Sequence, residues 1–229
     1  MDVSSAVAAP MRERSSRTAA DWIGSAFFCA FALAIPFTSG SSGLLLLPPM
    51  LYEVAVAATF LLRNRARRSL PGIGPRSAAY VATFLVPAFI WVSSRWAPGY
   101  LASSESTFLQ TAGASAWLFG AVLSFWPIWY MRRSFSIEPA ARELATDGPY
   151  RIARHPIYAT QLLEYAGIWM LHATLPFAAV LLVWVVVLRL RMGYEERVLR
   201  EEFPEYASYR QRVGALGPRL RPAHAASGG

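Results

Sequence analysis

Leu162–Leu188, LLEYAGIWMLHATLPFAAVLLVWVVVL, decides the fold. Apart from Glu164 and His172 this run of 27 residues is apolar, too short for two ordinary membrane spans and long for one. Arginines stand on both sides of it: Arg142, Arg151 and Arg154 before, Arg189, Arg191 and Arg197 after. Basic flanks mark the cytoplasmic side, so a single crossing would break that rule. A hairpin obeys it. Pro156 opens one arm and Pro176 the other, with the break at His172-Ala173-Thr174-Leu175. An arm of this length reaches about 25 Å at 1.5 Å per residue, barely a crossing, so the hairpin is expected to be short and shielded by other helices.

Upstream, four further apolar stretches read as spans: Trp22–Phe37, Leu44–Leu62, Ala78–Ser94 and Thr107–Met131. Ala32-Leu33-Ala34 looks like a signal-peptidase site, yet the long polar leader favours a retained span. Arginines crowd the N-terminus, the loop 63–76 and everything after Met131, whereas 38–43 carries no charge and 95–106 only Arg95 and Glu105. Both termini are therefore expected in the cytoplasm. Beyond Arg191, the order Glu195, Glu196, Leu199, Phe203, Tyr206, Tyr209 reads as an amphipathic helix broken near Pro204. The predicted fold is all-α: a polytopic membrane helix bundle of four spans, a C-terminal hairpin and a cytoplasmic amphipathic helix. Its divisions are a tail at 1–20, a four-helix region at 21–131, a catalytic region at 132–222 and a disordered tail at 223–229.

Composition agrees. Of the 229 residues, 55% are hydrophobic and 16% charged, outside the balance of a soluble domain. All 22 basic residues are arginine and the net charge is +8. Because those arginines flank apolar segments, they suit anionic headgroups rather than nucleic acid. A lone Cys29 and three scattered histidines give no metal spacing. No metal and no nucleic acid are expected, and the arginine-only usage suggests a bacterial inner membrane.

The chemistry-bearing stretch is Asp147-Gly148-Pro149-Tyr150-Arg151-Ile152-Ala153-Arg154-His155-Pro156-Ile157-Tyr158. A residue before proline avoids helical geometry and the proline then suits the first helical position. The result is a helix start at the membrane surface, ringed by Arg151, Arg154 and His155, which is a site for an anion. Across the hairpin, Arg191 and Glu195 share a helix face at i,i+4. Such a pair is either a simple ion pair or one wall of a pocket offering both charges. Glu53 and Glu164 are acids within apolar runs, costly to bury. Glu164, eight residues after Pro156, is a candidate for lining a substrate path; Glu53, near Pro48 and Pro49, reads as structural.

Gly148-Pro149-Tyr150-Arg151, Arg154-His155-Pro156-Ile157-Tyr158, the hairpin and Glu195-Glu196 with Leu199, Phe203, Tyr206 and Tyr209 resemble the isoprenylcysteine carboxyl methyltransferase family and its bacterial phospholipid methyltransferase relatives. The resemblance runs from about Arg133 to Pro222. It implies an S-adenosylmethionine-dependent membrane methyltransferase. By that resemblance Arg142, Glu143, Leu144, Ala145, Tyr150, His155, Pro156, Ile157, Tyr158, Glu195 and Glu196 contact the cofactor. Arg191 falls where the family places a substrate-site arginine, and Arg191 and Glu195 are the implied catalytic pair. Arg154 and Glu164 join Arg191 as substrate candidates. Gly214-Ala215-Leu216-Gly217 interrupts the family's usual ending, and Thr160 stands where glycine is frequent.

The expected acceptor is lipophilic or a membrane lipid. An isoprenoid-type carboxylate is favoured, because a carboxylate is already a nucleophile that an arginine can orient. An amine would need Glu195, Glu196 or Glu164 to take its proton. On this reading Glu195→Ala loses cofactor binding, and Arg191→Ala keeps it but loses turnover. The rival readings are an NADPH-dependent sterol-reductase-like enzyme, against which Ile157 replaces the asparagine usual before the tyrosine, and a non-enzymatic scaffold or transporter.

Overall fold

The computed structural model describes residues 18–38 and 44–219. The expectations for the N-terminal tail, the 39–43 loop and the last ten residues lie outside them. Seven helices make up most of the described chain: α1 (Ala19–Thr38), α2 (Leu47–Leu62), α3 (Ile73–Trp96), α4 (Thr107–Met131), α5 (Pro156–His172), α6 (Leu175–Glu202) and α7 (Tyr206–Arg212). The expected all-α membrane bundle is what the chain forms. Four helices, α1, α3, α4 and α6, are long and apolar enough to cross a membrane. α2 is apolar too but shorter, with 16 residues, and α5, with 17, carries Gln161, Glu164 and His172 among its apolar residues.

The hairpin forms where its prolines place it. Pro156 starts α5 and Leu175-Pro176 starts α6, and Ala173 turns the chain between them with a left-handed φ of 52°. α6 is longer than the second arm was expected to be. It continues unbroken past Arg191 to Glu202, so the amphipathic segment is its last turns plus α7, separated by Phe203-Pro204.

The two arms hardly pack on each other. α5 lies mainly along α4, and α6 along α3. Glycines bring α4 and α5 together: a Cβ on Gly167 would stand 2.5 Å from the Trp117 nitrogen and 2.7 Å from the Gly113 oxygen. Such small-residue seams are how helices approach closely in lipid, where water does not drive association. Trp184 holds α6 to α3 by donating Nε1–H to the Ala82 carbonyl at 2.8 Å. With its arms drawn to different partners, the hairpin leaves space between them, closed by aromatic residues of α1, α2 and α3.

Below the bundle the loops are tied into a floor. β1 (Arg68–Ser69) pairs antiparallel with β2 (Ala140–Ala141). Asn64 donates to Glu143 at 3.0 Å, and Arg142 donates to the Asn64 carbonyl. Gly148 sits at φ +57°, in the left-handed region that favours glycine, and a Cβ there would also press on the Tyr130 ring at 2.5 Å.

Candidate functional site

The Arg-His-Pro motif and the Glu-Glu pair meet. His155 lies outside helical geometry, at φ −126° and ψ 61°, as the following proline demands. Its ring stands between the two carboxylates, with Nδ1 3.6 Å from Glu195 Oε2 and Nε2 3.3 Å from Glu196 Oε1. Arg154 donates from Nε and Nη2 to Glu196 Oε1 at 3.0 and 2.8 Å, and Arg210 Nε lies 3.2 Å from Oε2. The anion expected at this helix start is therefore supplied by the protein itself, as Glu195 and Glu196 reaching across from α6.

Glu195 Oε1 is a junction. It accepts the Tyr158 hydroxyl at 2.5 Å and Arg191 Nε at 2.9 Å. The Arg191 guanidinium lies over the Tyr158 ring at 5.3 Å, and the Tyr158 ring stacks on His155 at 5.5 Å. Arg191 is buried, and its remaining donors go to Thr83 Oγ1 at 2.8 Å, the Ala79 carbonyl at 3.3 Å and the Ile137 carbonyl at 3.0 Å. Four of the five N–H groups of a guanidinium are thus engaged within the protein.

The C-terminal segment folds back over the motif despite its extra glycines. The backbone N–H groups of Arg154 and His155 donate to the Gly214 and Ala215 carbonyls, both at 2.9 Å, and Arg154 Nη1 donates to the Val213 carbonyl. Tyr209 donates its hydroxyl to the Tyr150 carbonyl at 2.6 Å.

Two hollows share the His155–Glu195 wall. The outer one lies under the C-terminal segment, between the 134–145 loop and α7, and is lined by Glu143, Leu144, Ala145, Tyr150, Tyr206 and Tyr209 among others. The inner one, the chamber between the hairpin arms, is lined by Ile157, Tyr158, Gln161 and Arg191, then by Tyr52, Glu53, Phe28, Phe31 and Phe84. Tyr150, Arg154, His155 and Glu195 face both. Burial raises the hydroxyl pKa values of Tyr150 and Tyr206, and that of Tyr209 to about 12, so all three remain neutral donors near pH 7.

Most residues singled out in the sequence gather here, but not all. Arg142 does not line either hollow; it turns to Asn64, its Nε is buried without a partner, and burial lowers its pKa to about 10. Pro156 is buried as the first residue of α5 and lines neither hollow. Glu164 is taken up in the α4–α5 seam, accepting the Ser124 hydroxyl at 2.5 Å, whereas Glu53, read as structural, lines the chamber. Tyr206 and Tyr209 are not among the site residues the sequence singles out, although the amphipathic order Glu195, Glu196, Leu199, Phe203, Tyr206, Tyr209 carries the hint. Tyr206 is 1% exposed and its hydroxyl, beside the outer hollow, has the Arg154 guanidinium near its oxygen but donates its proton to no acceptor in the protein. A buried donor without an acceptor, facing a hollow, fits a ligand with acceptor atoms there. Among the described residues no group of three or more His, Cys, Asp or Glu stands together in a metal-binding arrangement.

Residues 108–206 match the family described as Phospholipid methyltransferase. This bears out, over that segment, the resemblance read from the motifs on either side of the hairpin. The chain is also 30% identical over 141 residues to the cobalt-zinc-cadmium resistance protein CzcN of Cupriavidus metallidurans, and 27% identical over 141 residues to the nickel-cobalt-cadmium resistance protein NccN of Alcaligenes xylosoxydans xylosoxydans. These matches cover 61% of this chain and 61% and 62% of the two relatives.

Proposed function

We propose that this chain, with the phospholipid methyltransferase pattern over residues 108–206, is an S-adenosylmethionine-dependent methyltransferase acting on a lipid-like acceptor at the membrane surface. The observation that carries the reading is the shared wall: a hollow under the C-terminal segment and an aromatic-lined chamber between the hairpin arms meet at His155 and Glu195. A transferase needs two compartments that touch, one for a water-soluble donor and one for a membrane-borne acceptor, with the reacting atoms aligned where they touch.

The outer hollow fits the donor. Glu195, Glu143 and the Tyr206 and Tyr150 hydroxyls would hold its amino and hydroxyl groups, with Leu144, Val198 and Leu199 against its apolar faces. When bound there, S-adenosylmethionine supplies an electrophilic methyl on a positively charged sulfur. Glu195, kept in place by Tyr158 and Arg191, sets a negative field at the junction. The Gly214–Ala215 strap and Tyr209 close the hollow from the side of α7 and keep water from the reacting atoms. The carboxylate acceptor favoured from the sequence required a free Arg191, and the engagement of that guanidinium moves this part of the reading.

Isothermal calorimetry of the detergent-solubilised protein with S-adenosylhomocysteine and with NADPH tests the assignment. Binding of S-adenosylhomocysteine is expected, with loss in Glu195→Ala. Binding of NADPH alone would sink it in favour of a reductase. Binding of neither would favour a non-enzymatic role.

A further inference from the structure

We propose that Glu53 on α2 selects the acceptor, admitting a lipid-like molecule whose reactive head donates a hydrogen bond or carries positive charge and disfavouring a carboxylate. It rests on the methyltransferase reading only for what happens to that head after it binds.

The charges around the chamber balance except at Glu53. Five of the lining residues are acids, arginines or histidine: Glu53, Arg154, His155, Arg191 and Glu195. Arg154 is bound to Glu196 and to the Val213 carbonyl. Arg191 is bound to Glu195, Thr83, Ala79 and Ile137, which leaves one N–H free. His155 is held between Glu195 and Glu196. Glu53 makes no hydrogen bond or ion pair with any described residue, although it stands within an apolar helix.

An acid in such a place is costly unless something meets it. Glu164, the other intramembrane acid, already has Ser124. A donor or cation arriving in the chamber would offset the cost at Glu53. A carboxylate arriving there would find one spare guanidinium N–H and the neutral donors of Tyr52, Gln161 and Tyr165, but no unpaired cation to balance its charge, and two carboxyls face each other only by sharing a proton. The rest of the lining towards α1 and α3, Phe28, Phe31, Phe84 and Pro87, is apolar and suits a hydrocarbon chain.

The test uses the full chain in phosphatidylcholine nanodiscs doped with hexadecylamine or with palmitate, in the presence and absence of S-adenosylhomocysteine. Affinity for each amphiphile is read from thermal protection of wild type, Glu53→Gln and Glu53→Asp. Wild type and Glu53→Asp are expected to bind the amine, and Glu53→Gln to bind it about tenfold or more weakly, the scale of one charge-assisted hydrogen bond. Palmitate binding as tightly as the amine to wild type, binding of neither amphiphile, or undiminished amine binding by Glu53→Gln would each overturn the proposal. Should Glu53→Gln not fold, the amine and palmitate comparison in wild type decides. Amine binding without any S-adenosylhomocysteine binding would leave Glu53 in its role and remove the methyltransferase reading instead.

Discussion

Arg191 stands one turn before Glu195 on α6 and donates Nε–H to its Oε1 at 2.9 Å, on the same oxygen that receives the Tyr158 hydroxyl. The guanidinium also bonds to α3 and to the loop before β2, through Ala79, Thr83 and Ile137. Arg191 thereby fixes where Glu195 points, and under the proposed methyl transfer it would act through that carboxylate.

Arg191→Ala is therefore expected to weaken S-adenosylhomocysteine binding by about tenfold, roughly one lost charge-assisted hydrogen bond, besides lowering turnover. Sequence alone led to the opposite split, with binding kept. Lysine at this position should rescue little, since one ammonium does not span four partners arranged around a planar fork. Calorimetry on both variants decides; unchanged affinity in Arg191→Ala would return the residue to the acceptor side.

Glu196 is the knot of the C-terminal segment. Arg154, His155 and Arg210 converge on it, and Arg154 in turn holds the Val213 carbonyl. Glu196→Ala leaves Arg154, whose side chain is only 11% exposed, beside His155 without its acid. The expected cost is about 2 kcal/mol of stability, less than for a fully enclosed pair because the Arg210 side is open. Unfolding in mild detergent would measure it, and proteolysis after Arg210 and Arg212 should quicken as the segment lifts.

Much of the bundle was legible because lipid and water sort residues strongly along the chain. α4 runs from Thr107 to Met131 as read, and the hairpin turns at Ala173 between its two prolines. The motif and the Glu-Glu pair were legible through chemistry and resemblance. What the sequence hid was direction around each helix. In an apolar span no polar face marks which side meets protein, so nothing distinguished Glu164, turned into the α4–α5 seam, from Glu53, turned into the chamber. The pairing of α5 with α4 rather than α6 depended on Gly113, Gly120 and Gly167, which in sequence are simply three glycines among apolar neighbours.

Gly167→Ala tests that seam. The added Cβ would overlap the Trp117 backbone nitrogen at 2.5 Å and the Gly113 oxygen at 2.7 Å, and backbone cannot step aside as a side chain does. Overpacking of this kind costs about 1–3 kcal/mol. Because α5 carries His155 and Tyr158 at its start, thermal unfolding should fall and S-adenosylhomocysteine affinity should fall with it. A melting temperature equal to wild type would mean that α4 and α5 do not lie this close.

Tyr206 separates holding the fold from holding a ligand. Its ring is buried against the site, but its hydroxyl donates to no acceptor within the protein. Tyr206→Phe therefore removes no bond that the hydroxyl donates, and because Arg154 keeps Glu196 and the Val213 carbonyl as partners the melting temperature should stay about unchanged, an unmet buried hydroxyl proton being itself a cost. Tyr209→Phe, which loses the 2.6 Å bond to the Tyr150 carbonyl, should lower stability by about 1 kcal/mol. If the outer hollow holds S-adenosylmethionine, Tyr206→Phe should also weaken S-adenosylhomocysteine several-fold, because the ligand loses the donor that the protein left unspent. Melting curves and calorimetry on the two variants give four outcomes in one experiment. Lost stability in Tyr206→Phe with unaltered affinity would assign the hydroxyl to the fold and take it out of the site.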